Sequence, residues 1–143
     1  MRNRTKRARF TSIVTLFAVL GLLALAACDE GLKNDPTGRT WQLTELEGSS
    51  LVDGTVIDLT IDGDTASGSA GCNTYNGPAT VDQDTSAMTL GPNFAVTFMA
   101  CDQPIMDQEQ KYLDALTRVV SYQLAAEELI LEDANGIAVA TFG

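Results

Sequence analysis

The chain of 143 residues contains no histidine. That absence removes Ser-His-Asp and Cys-His nucleophilic catalysis, imidazole-ligated zinc and a histidine pH switch, since no other side chain titrates unperturbed near neutrality. Any acid-base chemistry falls to carboxylates. Basic residues are scarce, nine Lys and Arg against 19 Asp and Glu, and Arg2, Arg4, Lys6, Arg7 and Arg9 crowd the N-terminus. Beyond them only Lys33, Arg39, Lys111 and Arg118 face all 19 acids, a net charge of −15. Such a surface repels phosphate backbones and anionic headgroups. Nucleic-acid binding and a polybasic membrane contact are therefore not expected, while a basic partner, a cation or plain solubility remain open. No apolar run reaches the roughly 20 residues of a spanning helix; the longest, Ile13 to Ala27, has about 15. Three cysteines occur without a Cys-x-x-Cys pair, so neither redox exchange nor a zinc site is indicated.

What the N-terminus does contain is ordered. Basic residues precede the apolar run, which closes on Leu25-Ala26-Ala27-Cys28, the order of a lipoprotein signal peptide over residues 1–27. Cys28 is then the first mature residue and the lipidation site. Two or three acyl chains, at roughly 0.8 kcal/mol per buried methylene, hold a small domain durably where one is reversible. The competing reading is an ordinary cleaved signal that leaves Cys28 a free thiol. Lipidation predicts an exported, membrane-anchored protein, facing the periplasm if the cell has two membranes; Asp29 after the anchor is an inner-membrane retention signal in some such bacteria. With Cys28 assigned to lipid, Cys72 and Cys101 form an even pair in an oxidising compartment and are predicted to be bonded. Their loop of about 30 residues implies roughly 3 to 4 kcal/mol of stabilisation by chain entropy.

Residues 28–39 read as the lipidated N-terminus and a flexible tether, polar and carrying Gly31, Pro36 and Gly38. The folded domain is expected over 40–143. Alternating apolar residues predict strands at Trp41 to Leu46, Val56 to Ile61, Thr65 to Ala70, Asn73 to Val81, Ala87 to Leu90 and Phe94 to Met99, with breaks at Gly68, Gly71 and Gly77-Pro78. The period then changes. Tyr112, Leu113, Leu116, Val119 and Val120 recur at three and four, predicting a helix over about 105–120, with Asp102 and Pro104 at its start. Strands follow at Tyr122 to Ala125, Glu128 to Leu131 and Ile137 to Phe142, the last two joined by an Asn135-Gly136 hairpin turn. The expected class is α+β, a small, strongly bent antiparallel sheet or open β-barrel packed with one α-helix and carrying one disulfide.

The run Gly68-Ser69-Ala70-Gly71-Cys72-Asn73-Thr74-Tyr75-Asn76-Gly77, the segment Phe98-Met99-Ala100-Cys101, and Glu109 with Tyr112-Leu113 and Leu116 resemble the META domain family of HslJ-like bacterial proteins. Trp41-Gln42-Leu43 and Leu129-Ile130-Leu131 with Asn135-Gly136 extend the resemblance across residues 40–142. It implies a barrel-like sheet with one helix, places Cys72 and Cys101 at the family's paired positions, and associates the chain with stress, antibiotic tolerance and virulence. It carries no catalytic mechanism.

Two readings of the motif stay open. In the structural one, Gly71 and Gly77 permit tight backbone, Asn73 and Asn76 bond their own turns, and Cys72 staples the strand to the start of the helix. In the functional one, Asn73, Tyr75 and Asn76 form an exposed rim that recognises a ligand or protein. Asp58, Asp62 and Asp64, like Asp82 and Asp84, suit hard cations chemically but lack a calcium-loop pattern and read as solvated turns. No metal or cofactor is expected. Together these features predict a non-enzymatic, lipid-anchored envelope protein that binds a protein partner; the alternative is a small hydrophobic ligand held between sheet and helix, near Leu113 and Leu116.

Overall fold

A computed structural model describes residues 34–143. The expected signal peptide, the expected lipidation site Cys28, and the first residues of the expected tether lie outside the described residues. Ten strands and one helix are described: β1 Thr40–Leu46, β2 Ser49–Ser50, β3 Asp58–Asp62, β4 Thr65–Ser69, β5 Thr74–Asp82, β6 Ala87–Leu90, β7 Ala95–Val96, α1 Gln103–Thr117, β8 Ser121–Ala125, β9 Glu128–Glu132 and β10 Ala138–Phe142.

Every strand pairing is antiparallel, in the order β10-β9-β8-β6-β5-β4-β3-β1, and β1 also pairs with β10, so the ladder returns on itself as a ring. The link between β6 and β8 is the thinnest, resting on Ala87 opposite Ser121 and on Met88 N–H to Val120 C=O and Tyr122 N–H to Ser86 C=O. Period-two alternation sends Leu59 and Ile61, Met88 and Leu90, and Leu129 and Leu131 into one shared core. In β1 the alternation slips after Leu43, because a bulge between Leu43 and Glu45 inserts one residue and brings Leu46 back to the inside. A second irregularity in β10 buries both Val139 and Ala140.

The α1 helix covers the ring's interior with Tyr112, Ala115 and Leu116, all fully buried. Asp102 is the N-cap with extended backbone, and Pro104 stands in the first turn where its missing N–H costs nothing. The helix is shorter than its apolar spacing predicts. Arg118 N–H closes it onto Ala115 C=O, and Val120 N–H bonds Glu132 C=O, so Val119 and Val120 belong to the run into β8.

Three further expectations are corrected. Asn34 to Arg39, assigned to a free tether, is docked: Trp41 Nε1 donates to Pro36 C=O at 2.8 Å, Tyr122 Oη donates to Asn34 C=O, and Gly38 N–H bonds Ile61 C=O at 3.0 Å. The folded domain thus begins by Asn34. β4 and β5 run unbroken through Gly68 and Gly77-Pro78. Each glycine admits a close neighbour: a Cβ on Gly68 would lie 2.1 Å from Asp58 C=O, and one on Gly77 would lie 2.5 Å from the Phe94 ring. The Phe94 to Met99 segment forms a strand only at Ala95–Val96. The hairpin turn is as expected, with the Asp133 carboxylate accepting the Asn135 and Ile137 N–H groups, which holds its pKa below the usual range.

Gly68→Ala should destabilise the domain by about 3 kcal/mol, because its neighbour is rigid backbone rather than a movable side-chain tip. Gly48→Ala, with nothing within 4 Å, should cost about 1 kcal/mol from its positive φ alone. Urea denaturation of the two variants checks the difference.

Candidate functional site

The tight turn before β5 has Gly71 at φ 109°, and Ala70 N–H donates to Asn73 C=O at 2.7 Å. This turn aims Cys72 at Cys101, and the two are disulfide-bonded with Cα atoms 6.0 Å apart. It also turns the Asn73 side chain inward. There Asn73 Oδ1 accepts Met99 N–H at 2.7 Å and Thr97 Oγ1–H at 3.0 Å, while Nδ2 donates to Met99 C=O at 3.3 Å. The amide therefore serves Met99 as a neighbouring strand's peptide group would. Glu109 completes the arrangement from α1. Its Oε2 accepts the backbone N–H of Asn73 at 2.7 Å and of Cys72 at 3.3 Å, and its Oε1 accepts Asn73 Nδ2–H at 2.8 Å. A buried carboxylate without a cation is tolerable only when donors surround it, and here three do.

Tyr75 points into the core beside this clamp. Its ring meets Phe94 edge-on at 5.4 Å and Tyr112 at 5.7 Å. The Tyr75 and Tyr112 hydroxyls lie 2.8 Å apart and both reach Asp58 C=O. Burial raises the pKa of both, and also raises that of Tyr122.

The expected rim of Asn73, Tyr75 and Asn76 is thereby corrected. Asn73 and Tyr75 are only 3% and 2% exposed, and Asn76 alone faces out. Strand alternation separates Tyr75 from Asn76, and Asn73 is consumed by the clamp. Asp58 Oδ1 accepts Ser69 N–H of the adjoining strand. The Asp82 carboxylate accepts Asp84 and Thr85 N–H, and its bonds to the Thr85 side chain, Thr85 N–H and Asp84 N–H lower its pKa.

An apolar concavity of the described surface lies elsewhere. A groove of about 620 Å³ runs between the 92–99 segment and α1, with Phe94, Val96, Phe98 and Met99 on one wall and Met106 and Leu113 on the other. Phe98 is fully exposed and Met99 is 57% exposed. Asp107 and Asp114 line it, and no Lys or Arg does. Of the helix residues considered for a hydrophobic ligand, Leu113 lines the groove while Leu116 is fully buried in the core. Sequence reasoning missed Phe98 as a surface residue, because a short apolar run does not reveal which of its members find a covering neighbour.

The META domain family model matches residues 34–143. An NMR structure of a protein from Burkholderia xenovorans is similar at 28% identity, covering 74% of this chain and 81% of that one, with a TM-score of 0.57. A second NMR structure, 20% identical, covers 72% of this chain and 86% of the other with a TM-score of 0.55, a likeness of fold alone. No curated protein matches the chain.

Glu109→Ala should cost about 3 kcal/mol, since charged hydrogen bonds are lost and buried donors are left unmade. Combined with Asn73→Ala, the loss should fall short of the sum, as the two share bonds; denaturation of the four-member cycle measures this. A second expectation follows from the tyrosines. Their folded pKa values lie above the ordinary 10.0, so their stabilisation is complete below that value and is lost as pH rises through the folded pKa values. Tyrosinate absorbance should therefore appear together with loss of circular dichroism in alkali; ionisation near pH 10.0 with the fold intact would contradict it.

Proposed function

The chain belongs to the META domain family, and on that premise we propose that it is a non-catalytic binding module of the bacterial cell envelope, held at a membrane by lipid on Cys28 and contacting a partner protein through the groove between the 92–99 segment and α1. The observation that carries this reading is Phe98, a fully exposed aromatic beside exposed Met99. Aromatic and methionine side chains are enriched where interfaces form, and isolated soluble domains seldom leave them gathered in a concavity. The wall that presents them is pinned at Cys101 by the disulfide and at Thr97 and Met99 by Asn73. A pinned wall loses little entropy on binding. The lack of histidine in the chain, and the use of Glu109 as a hydrogen-bond acceptor inside the fold, favour recognition over catalysis. In this reading the protein is exported and faces the periplasm where two membranes are present. Because the domain begins by Asn34, residues 28–33 would span at most about 22 Å between lipid and fold. A role in stress or antibiotic tolerance accords with the family resemblance.

A second reading keeps the groove and changes its occupant. Its volume of about 620 Å³ lies within the range of small-molecule sites, so a hydrophobic ligand such as a fatty acid fits the same walls. Such a ligand should raise Tm through binding to the folded state.

Crosslinking capture from intact envelopes, under growth and heat stress, tests the protein-binding reading. A partner held by the native protein should be lost with Phe98→Ser, whose circular dichroism should match that of the native protein, and retained with Asn76→Ala. Loss with Asn76→Ala alone would move the contact to the outer face of β5. Retention with Phe98→Ser would reject the groove.

A further inference from the structure

Resting on the binding-module reading, we propose that the groove takes an extended, cationic apolar segment of the partner protein, added as a strand along the outer edge of β7. Three features of the described residues converge on that occupant. The first is backbone. β7 pairs with β5 alone, through Val96 opposite Tyr75 and Ala95 opposite Asn76, and Thr97 N–H continues the ladder to Thr74 C=O at 3.0 Å. In an antiparallel ladder, hydrogen-bonded pairs alternate with non-bonded ones. Thr97 occupies a bonded position, so at Val96 both N–H and C=O turn away from β5, and Val96 is among the residues that line the groove. An edge of this kind accepts an added strand.

The second feature is side-chain spacing. Val96 and Phe98 stand two residues apart, 39% and 104% exposed, and both line the groove facing Met106 and Leu113 of α1. An extended segment presents its side chains at the same two-residue interval, so alternate apolar residues would enter between these walls. A helix would lay its residues down at three and four, out of step with the edge.

The third feature is charge. Asp107 and Asp114 stand one above the other on the helical wall, seven residues apart, and no Lys or Arg lines the groove. Lys111 faces a different hollow, beside Glu47 and Gln108. Asp114 already holds Arg118 Nε at 3.2 Å, whereas Asp107 accepts only from the neutral Gln103 amide, at 2.7 Å. Asp107 is the acid placed to meet a Lys or Arg of the incoming segment. The chain's formal net charge of −10 adds a long-range attraction for such a segment.

Selection of a random heptapeptide library displayed on phage, against the mature chain in lipid nanodiscs, tests the proposal. Enriched peptides should alternate apolar residues and carry at least one Lys or Arg. The strongest of them, made synthetically, should bind Asp107→Asn at least five-fold more weakly than the native protein, more so at low salt than at high. Methylation of its backbone amides should weaken binding at least ten-fold in one alternate register and little in the other, since a strand uses every second amide. No enrichment, preference for acidic peptides, or indifference to backbone methylation would overturn the proposal. A rise in Tm with palmitate and with no peptide would also overturn it, assigning the groove to a small ligand. If peptides fail while Phe98→Ser still abolishes partner capture, strand addition is wrong and the binding module stands. If Phe98→Ser leaves capture intact, the module reading itself fails.

Discussion

One buried carboxylate ties together three parts of this protein that are distant in sequence. Glu109, on the helix, receives the backbone of Cys72 and Asn73 and the amide of Asn73, and Asn73 in turn holds Thr97 and Met99. Helix, turn and surface loop are thereby fixed against one another by polar contacts that tolerate little displacement, because a donor or acceptor released inside the fold has no water to replace its partner. The disulfide fastens the same junction covalently. The two devices differ in kind. The disulfide limits how far the chain can wander when unfolded, whereas the clamp specifies one folded geometry.

The rest of the architecture places a surface on that junction. Closure of the ladder through β1 and β10 leaves an interior that α1 fills with Tyr112, Ala115 and Leu116. Aromatic contacts then run from Phe142 through Tyr112 and Tyr75 to Phe94. Phe94 sits against Gly77 where a side chain would have stood. The core thus reaches out beneath the 92–99 segment and supports it from within. Past Phe94 the segment has a short ladder to β5 on one side and a groove on the other, so Val96, Phe98 and Met99 stay exposed on a rigid base. Rigidity and exposure together distinguish this segment from Val56 and Ile137, which are exposed apolar residues outside it.

Much of the fold was legible in the chain. Strand alternation located β1, β3, β4, β6, β8, β9 and β10 within a few residues, helical spacing located α1, and counting cysteines paired Cys72 with Cys101. The failures have particular causes. Gly68 and Gly77 looked like breaks, yet each allows another atom to approach an unbroken strand. Val119 and Val120 matched the helical spacing but were needed by the sheet. Asn34 to Arg39 looked like a linker because its backbone carbonyls, which Trp41 and Tyr122 use as acceptors, leave no mark in a sequence.

The candidate site divides in the same way. The sequence by itself determined the periodicities, the acidic balance, the lack of imidazole chemistry and the motif in which Asn73, Tyr75 and Asn76 stand together. Only the tertiary structure decided that Asn73 and Tyr75 turn inward while Phe98 turns outward. The reason is physical. Whether a side chain is buried depends on what stands opposite it, and Asn73 meets Glu109 36 residues away, Tyr75 meets Tyr112 37 residues away, and Phe98 meets nothing among the described residues that covers it. Local pattern sets the direction in which a residue points along its own strand or helix. The distant partner that fills, or fails to fill, the space in front of it is chosen by the closing of the fold.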